Sequence, residues 1–282
     1  EELQACAAVG QSRLMAVYQE LFAAHDIQAA QVLLTHADLQ DHDRHLNARN
    51  TLMALLARGV VPVINENDAV SFTELTVGDN DKLSALVAAL LPADLLVLLT
   101  TAEGLVRNFG KANAKLVTTV KKVDATTRKL AGGTQSSTSV GGMASKLKAA
   151  EIVMRAGIPM LIGNGAKRGV LTKMLAAEEV GTLFLPGKAK LKGRKRWIAF
   201  FHHPQGSMVV DDGAKVALRE RGMRLLAPGV VECEGDFEAG DVVGICDRHG
   251  TEFAQGVAKY SRGAMENNPG KVVVHRDHLV VL

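Results

Sequence analysis

A chain of 282 residues, 47% hydrophobic and 22% charged, is long enough for two cores or for one large α/β core with an appendage, and its composition excludes wholesale disorder. No apolar run approaches the roughly 20 residues that span a bilayer, and Glu1-Glu2-Leu3-Gln4 lacks the basic start of a secretory leader, so a cytoplasmic protein without membrane contact is expected. The net charge of +3 conceals an asymmetry: residues 1–185 carry 18 bases and 18 acids, residues 188–196 six bases and no acid, and residues 197–282 nine bases and twelve acids.

In chain order, residues 3–25 read as a helix, with Leu14, Val17, Tyr18, Leu21 and Phe22 at helical spacing. Residues 31–35 read as a short buried strand, 42–58 as a helix stopped by Gly59, and 60–65 as a strand. A helix over 79–91 follows, then a strand over 94–100 with almost no alternation. Such strands are buried on both faces, as in a parallel sheet covered by helices. A strand is expected near 116–120 and a helix near 124–130. After a Gly, Ser and Thr-rich loop come helix 144–156, strand 158–162, helix 169–177 and strand 181–185. From residue 205 the rhythm changes to short strands, at 207–210, 230–234, 241–246 and 271–275, with a helix over 212–221. The expected domains are therefore 1–187, a basic linker over 188–204, and a small β-rich domain over 205–282.

Two polar clusters flank one connection: Asn65-Glu66-Asn67-Asp68 after a strand, and Gly78-Asp79-Asn80-Asp81 at a helix start. Capping needs one side-chain oxygen per helix, whereas these clusters hold three Asp, one Glu and three Asn. In an open α/β sheet, strand ends and helix starts share the edge where ligands bind, so the surplus points to polar binding. A second feature is Ser139-Val140-Gly141-Gly142-Met143-Ala144-Ser145-Lys146, a glycine turn before a helix. Its backbone N–H groups, the helix start and Lys146 are suited to a phosphate, although it is not the Gly-x-x-x-x-Gly-Lys-Ser/Thr loop.

Other residues carry less. Cys6, Cys233 and Cys246 lack metal-site spacing and read as buried thiols. His42 and His45 lie among Asp41, Asp43 and Arg44, which reads as a solvated helix face, so no metal site is expected.

The two clusters at their separation, the stretch 94–100, the segment Gly141 to Lys146 and the later Arg194-Lys195-Arg196-Trp197 together resemble the bacterial glutamate 5-kinases. Val9-Gly10-Gln11-Ser12-Arg13 and Leu46-Asn47-Ala48-Arg49 support the likeness, which runs from about residue 5 to the end, and the β-rich tail resembles a PUA domain. The resemblance implies an α/β three-layer amino-acid-kinase sandwich with a mainly parallel sheet. It also implies ATP-dependent phosphorylation of the γ-carboxylate of L-glutamate, the first step toward proline, with Mg²⁺. By the same likeness Asp68 and Asn80 bind glutamate. Asp81 organises the catalytic lysines, and Lys146 stabilises the transferring phosphoryl group. The nucleotide falls at Thr100, Thr101, Val140, Gly141, Gly142, Met143, Ala144, Ser145 and Lys146. Family members are commonly homo-oligomers inhibited by proline.

The chain departs from the family at Thr101, where Asp is usual, at Ser139-Val140, where Gly-Thr is usual, and over 106–111, which lacks an Asp-Pro turn. Family members also begin with two strands, one followed by a turn carrying a phosphate-binding lysine and one by a Ser-Ser-Gly-Ala-like turn. Those are expected before Glu1, and residues 1–282 alone are expected to show no glutamate-dependent ADP release. Two other functions fit less well. Another acyl-phosphate-forming amino-acid kinase would share the fold. RNA binding through the PUA-like domain would use the basic run 188–196, but the body of that domain is net negative.

Overall fold

The chain divides into two units, Glu1–Lys190 and Leu191–Leu282. The computed structural model describes residues 2–70, 79–131, 142–187, 194–200, 204–265 and 270–282. The first unit runs α1 (Glu2–Ala23), β1 (Ala29–Leu34), α2 (His36–Gln40), α3 (His42–Ala57), β2 (Val61–Glu66), α4 (Asp79–Leu90) and β3 (Leu96–Thr100). It continues through β4 (Val106–Arg107), β5 (Lys115–Leu116), β6 (Thr119–Val120), α5 (Ala125–Ala131), α6 (Met143–Ala156), β7 (Met160–Asn164), α7 (Val170–Leu175) and β8 (Thr182–Phe184). The alternation of helix and strand expected from the apolar periodicity is present.

Strand pairing is mainly parallel. β1 pairs with β2, β3 with β7 and β6 with β8 in parallel, while β7 with β8 and β4 with β5 are antiparallel. The strand expected near 116–120 is two short strands, because the chain changes partner in the middle. Val117 N donates to Leu105 O at 2.8 Å, and one residue later Thr118 O accepts from Leu183 N at 2.8 Å. Thr182 is fully buried and locks the change: its Oγ1 donates to Val117 O at 2.7 Å and accepts from Leu105 N at 2.8 Å.

The core of this unit lies where α4 and α6 pack together beside the sheet. Small residues dominate the buried helical faces: Ala85, Ala89, Ala149, Ala150 and Ala156, with Leu86, Leu147 and Val153 filling between them. Small side chains let helix axes approach to the short end of the usual 8–10 Å, and each fully buried Leu or Val contributes about 1.5–3 kcal/mol. Met160, Ile162 and Phe184 complete the core from the strands.

Three expectations are corrected here. In α1 the residues expected inward, Leu14, Val17, Tyr18 and Leu21, are exposed, and Met15 is buried instead. The β1–β2 pair is about one helix diameter wide, so it covers one stripe of α1. His45 is not on a solvated face. It is buried, with Nδ1 3.2 Å from Leu39 O, while Asp41 caps α3 by accepting from Asp43 N and Arg44 N. Cys6 is exposed on α1, Cys233 is half-buried and Cys246 is buried. Among the described residues no three His, Cys, Asp or Glu side chains gather as for a metal, and no helix is long and apolar enough to cross a membrane.

The second unit comprises α8 (Arg194–Phe200), β9 (Gly206–Val210), α9 (Asp212–Arg221), β10 (Leu225–Leu226), β11 (Val230–Gly235), β12 (Val242–Cys246), β13 (Glu252–Ala258), α10 (Arg262–Met265) and β14 (Val272–Val281). Its six-stranded sheet has the order β10-β14-β13-β12-β9-β11, and it is antiparallel apart from β9 with β12. β13 was not anticipated. Its sequence, EFAQGVA, mixes small, polar and apolar residues without strict alternation, and central pairing rather than local pattern makes it a strand. Met208, Leu218, Phe237, Ile245 and Phe253 form part of the core. Asp247 ties α9 to the β12–β13 turn. It accepts from Lys215 Nζ at 2.9 Å and from His249 N and Thr251 N at 3.0 Å, and these donors, Lys215 foremost, hold its carboxyl down at about 2.

Candidate active site

The packing of α4 on α6 brings the first turns of both helices together. Asp81 is the third residue of α4, and Ser145 and Lys146 are the third and fourth of α6. Lys146 Nζ lies 3.0 Å from Asp81 Oδ2, and Ser145 Oγ is 2.5 Å from the same oxygen. Ser145 Oγ is also 2.8 Å from Gly142 O, so its single proton has two acceptors within reach. The ion pair is largely shielded from solvent, with side-chain exposures of 10% for Lys146 and 17% for Asp81. A lysine in that position is fixed in direction, since a low-dielectric setting strengthens its attraction to the carboxylate.

Gly142 is the N-cap of α6, with an extended backbone and no side-chain cap. Ser145 N donates to Gly142 O at 3.1 Å, Gly142 has no side chain to cap the N–H groups before it, and the partial positive charge at this helix start favours an anion. Met143 and Ala144 occupy the same first turn, half-buried and exposed respectively. Val140 and Gly141 lie outside the described residues.

The amino-acid side of the prediction maps to two places. Asp68 is half-buried in the turn just after β2, and Asn80 is exposed in the first turn of α4. Both stand at the strand-end and helix-start positions expected of them. Thr100 ends β3, and its carbonyl accepts from Gly165 N at 2.8 Å. Thr101 is exposed just beyond.

One group of residues and one contact went unnoticed in the sequence. Beside Thr100, Asn164 Nδ2 donates to Glu103 Oε1 at 3.0 Å and Lys167 Nζ to Glu103 Oε2 at 2.8 Å. Lys167 and Asn164 hold the Glu103 carboxyl below its ordinary range. The signal was available, because Asn164 follows a predicted strand just as Thr100 ends one, and parallel strands place such ends side by side. The contact joins Gln11, from the stretch Val9 to Arg13, to Asn65, from the first polar cluster, and so ties α1 to the end of β2; nothing local predicts that the two meet.

Residues 1–164 match the amino acid kinase family and residues 206–280 match the PUA domain. The chain is 45% identical to glutamate 5-kinase of Photobacterium profundum over 99% of this chain and 78% of that protein. It is equally identical to glutamate 5-kinase of Geobacter metallireducens, over 99% of this chain and 79% of that protein. Among solved structures it is similar to carbamate kinase from Giardia lamblia bound to AMP-PNP, at 16% identity and a TM-score of 0.49, covering 66% of this chain and 73% of that one. With an amino acid kinase unit and a PUA unit in one chain, and near-complete coverage by relatives of one kind, the chain belongs to the glutamate 5-kinase family.

Proposed function

We propose that the chain transfers the γ-phosphoryl group of ATP to the γ-carboxylate of L-glutamate, giving glutamyl 5-phosphate and ADP on the route to proline. The observation that carries this reading is the Asp81–Lys146 pair, with Ser145 beside it, at the adjoining starts of α4 and α6. Two anions must meet here: a carboxylate oxygen attacks the γ-phosphorus as the bond to the bridging oxygen of ADP breaks. Such a transfer needs positioning and positive charge more than covalent catalysis. Lys146 supplies that charge to the oxygens of the moving phosphoryl group. Asp81 keeps the ammonium in place and so acts as a positioning residue. The N–H groups at the start of α6 receive phosphate oxygens.

In this reading Asp68 takes the substrate ammonium and Asn80 its polar groups. Thr100, Thr101 and residues 140–146 hold the nucleotide. Mg²⁺ typically uses one or two carboxylates together with substrate phosphates, a donor set that Asp81 and the nucleotide fit, and the ion supplies charge neutralisation when bound. Residues 1–187 carry the chemistry, and 205–282 follow the basic stretch 188–204, of which residues 194–200 form α8 of the second unit. Proline inhibition and homo-oligomeric assembly belong to the same reading through the family likeness.

The test is made on the full-length gene product. With ATP, Mg²⁺ and L-glutamate, ADP release and trapping of the acyl phosphate by hydroxylamine should both depend on glutamate. Equal turnover with aspartate or N-acetylglutamate would overturn the substrate assignment.

A further inference from the structure

Asn65 Nδ2 donates to Gln11 Oε1 at 3.1 Å, across 54 positions of sequence. The bond ties the middle of α1 to the carboxyl end of β2, three residues before Asp68. It uses the acceptor of Gln11 and leaves the other end of that carboxamide free. Gln11 Nε2 is buried and has no acceptor among the described residues. Native proteins seldom keep a buried N–H group in that condition unless a ligand or ordered water completes it. The turn after β2 is locked: Asn67 N donates to Leu34 O at 3.0 Å and Asn67 O accepts from Val70 N at 3.1 Å. Asn65 and Asp68 are therefore held at opposite ends of one short, rigid segment.

We propose that Gln11 is a substrate-binding and specificity-determining residue that donates from Nε2 to the α-carboxylate of the amino acid while its Oε1 holds Asn65. The inference rests on the reading that the chain phosphorylates L-glutamate. In an α-amino acid the ammonium and the α-carboxylate are bonded to one carbon. A site that takes the ammonium on Asp68 must place the carboxylate next to it, and a carboxylate takes N–H donors.

The test uses the full-length gene product with two substrates, L-glutamate and its α-amide, isoglutamine, which retains the γ-carboxylate. Gln11→Glu preserves an acceptor for Asn65 Nδ2 and replaces the free N–H group by a carboxylate oxygen. The expected result is a rise of about tenfold or more in KM for L-glutamate, carried by KM rather than kcat, with KM for ATP unmoved. Preference for L-glutamate over isoglutamine should fall by about tenfold or more, since the amide can donate to the new carboxylate. Gln11→Met, similar in shape and without polar hydrogen, should also raise KM for L-glutamate. If it does not fold, Gln11→Glu decides alone. Unchanged KM and unchanged discrimination in Gln11→Glu, even with a lowered melting temperature, would assign the pair to packing and overturn the proposal. A parent protein that neither binds L-glutamate nor releases ADP with it would overturn the functional reading itself, whatever the variants do.

Discussion

Lys146 and Asp81 meet at 3.0 Å although 65 positions separate them. They come from two helices whose starts lie side by side because small residues line the buried faces of both. The pair is shielded enough to matter energetically, and it leaves Asp81 as the group that decides where the lysine charge points.

Lys146→Met in the full-length gene product should lower kcat by about two orders of magnitude, the scale observed when one preorganised charge-stabilising donor is removed. Asp81→Asn should lower kcat less, because the charge stays but loses its direction. A double-mutant cycle on these two positions should give a coupling energy of about 1–3 kcal/mol in stability. Strict additivity, measured by denaturant unfolding, would show that the pair does not act as a unit.

Ser145→Ala removes a hydroxyl 2.5 Å from Asp81 Oδ2 and leaves the ion pair intact. One hydrogen bond to a charged group is worth about 1.5–3 kcal/mol, but the site retains Lys146 as a donor to the same oxygen. The expected outcome is a loss of roughly tenfold in kcat/KM, smaller than for Lys146→Met. Steady-state kinetics of the two variants side by side provide the check.

Asp247 is a pH-dependent stabiliser of the second unit. Its carboxyl is held at about 2 against an ordinary 3.8, first by Lys215 and then by the Thr251 and His249 amides. A depressed pKa means that the folded state favours the ionised form. The contribution is therefore complete above about pH 4 and is lost as pH falls toward 2. Asp247→Asn should melt at a lower temperature than the parent at pH 7, and the difference should shrink on acidification, being mostly lost at about pH 2 and gone only below it. Thermal melts of the intact chain at pH 7, 4 and 2 test this, and a difference that persists unchanged at pH 2 would count against it.

Two glycines of the first unit should respond unequally to alanine. At Gly181, with φ of +78°, an added methyl would meet the carbonyl oxygen of Ile162. Both the backbone conformation and the fixed neighbour oppose it, so Gly181→Ala should destabilise by at least about 2 kcal/mol. At Gly163 the methyl would meet the terminal carbon of Met174, a flexible side chain that can turn away. Gly163→Ala should therefore cost about 1 kcal/mol. Urea unfolding of both variants gives the order, and a larger loss at Gly163 would contradict it.

Local features are legible in the order of residues: the alternation of helix and strand through residue 185, the polar clusters at 65–68 and 78–81, the glycine-rich stretch before Lys146 and the change to short strands after 205. Each rests on periodicity or turn chemistry within a few residues, and that information is carried by neighbours along the chain. The roles of Asp68 and Asn80 were readable only as a likeness, since spacing alone cannot say which helix start faces which strand end. Tertiary structure decided the rest. It joined Asp81 to Lys146 and Ser145, turned His45 inward and the apolar stripe of α1 outward. It split the expected strand at Val117 and Thr118, made a central strand of 252–258, and set Gln11 against Asn65. Each of those outcomes depends on contacts between distant segments, where packing and pairing outweigh local preference.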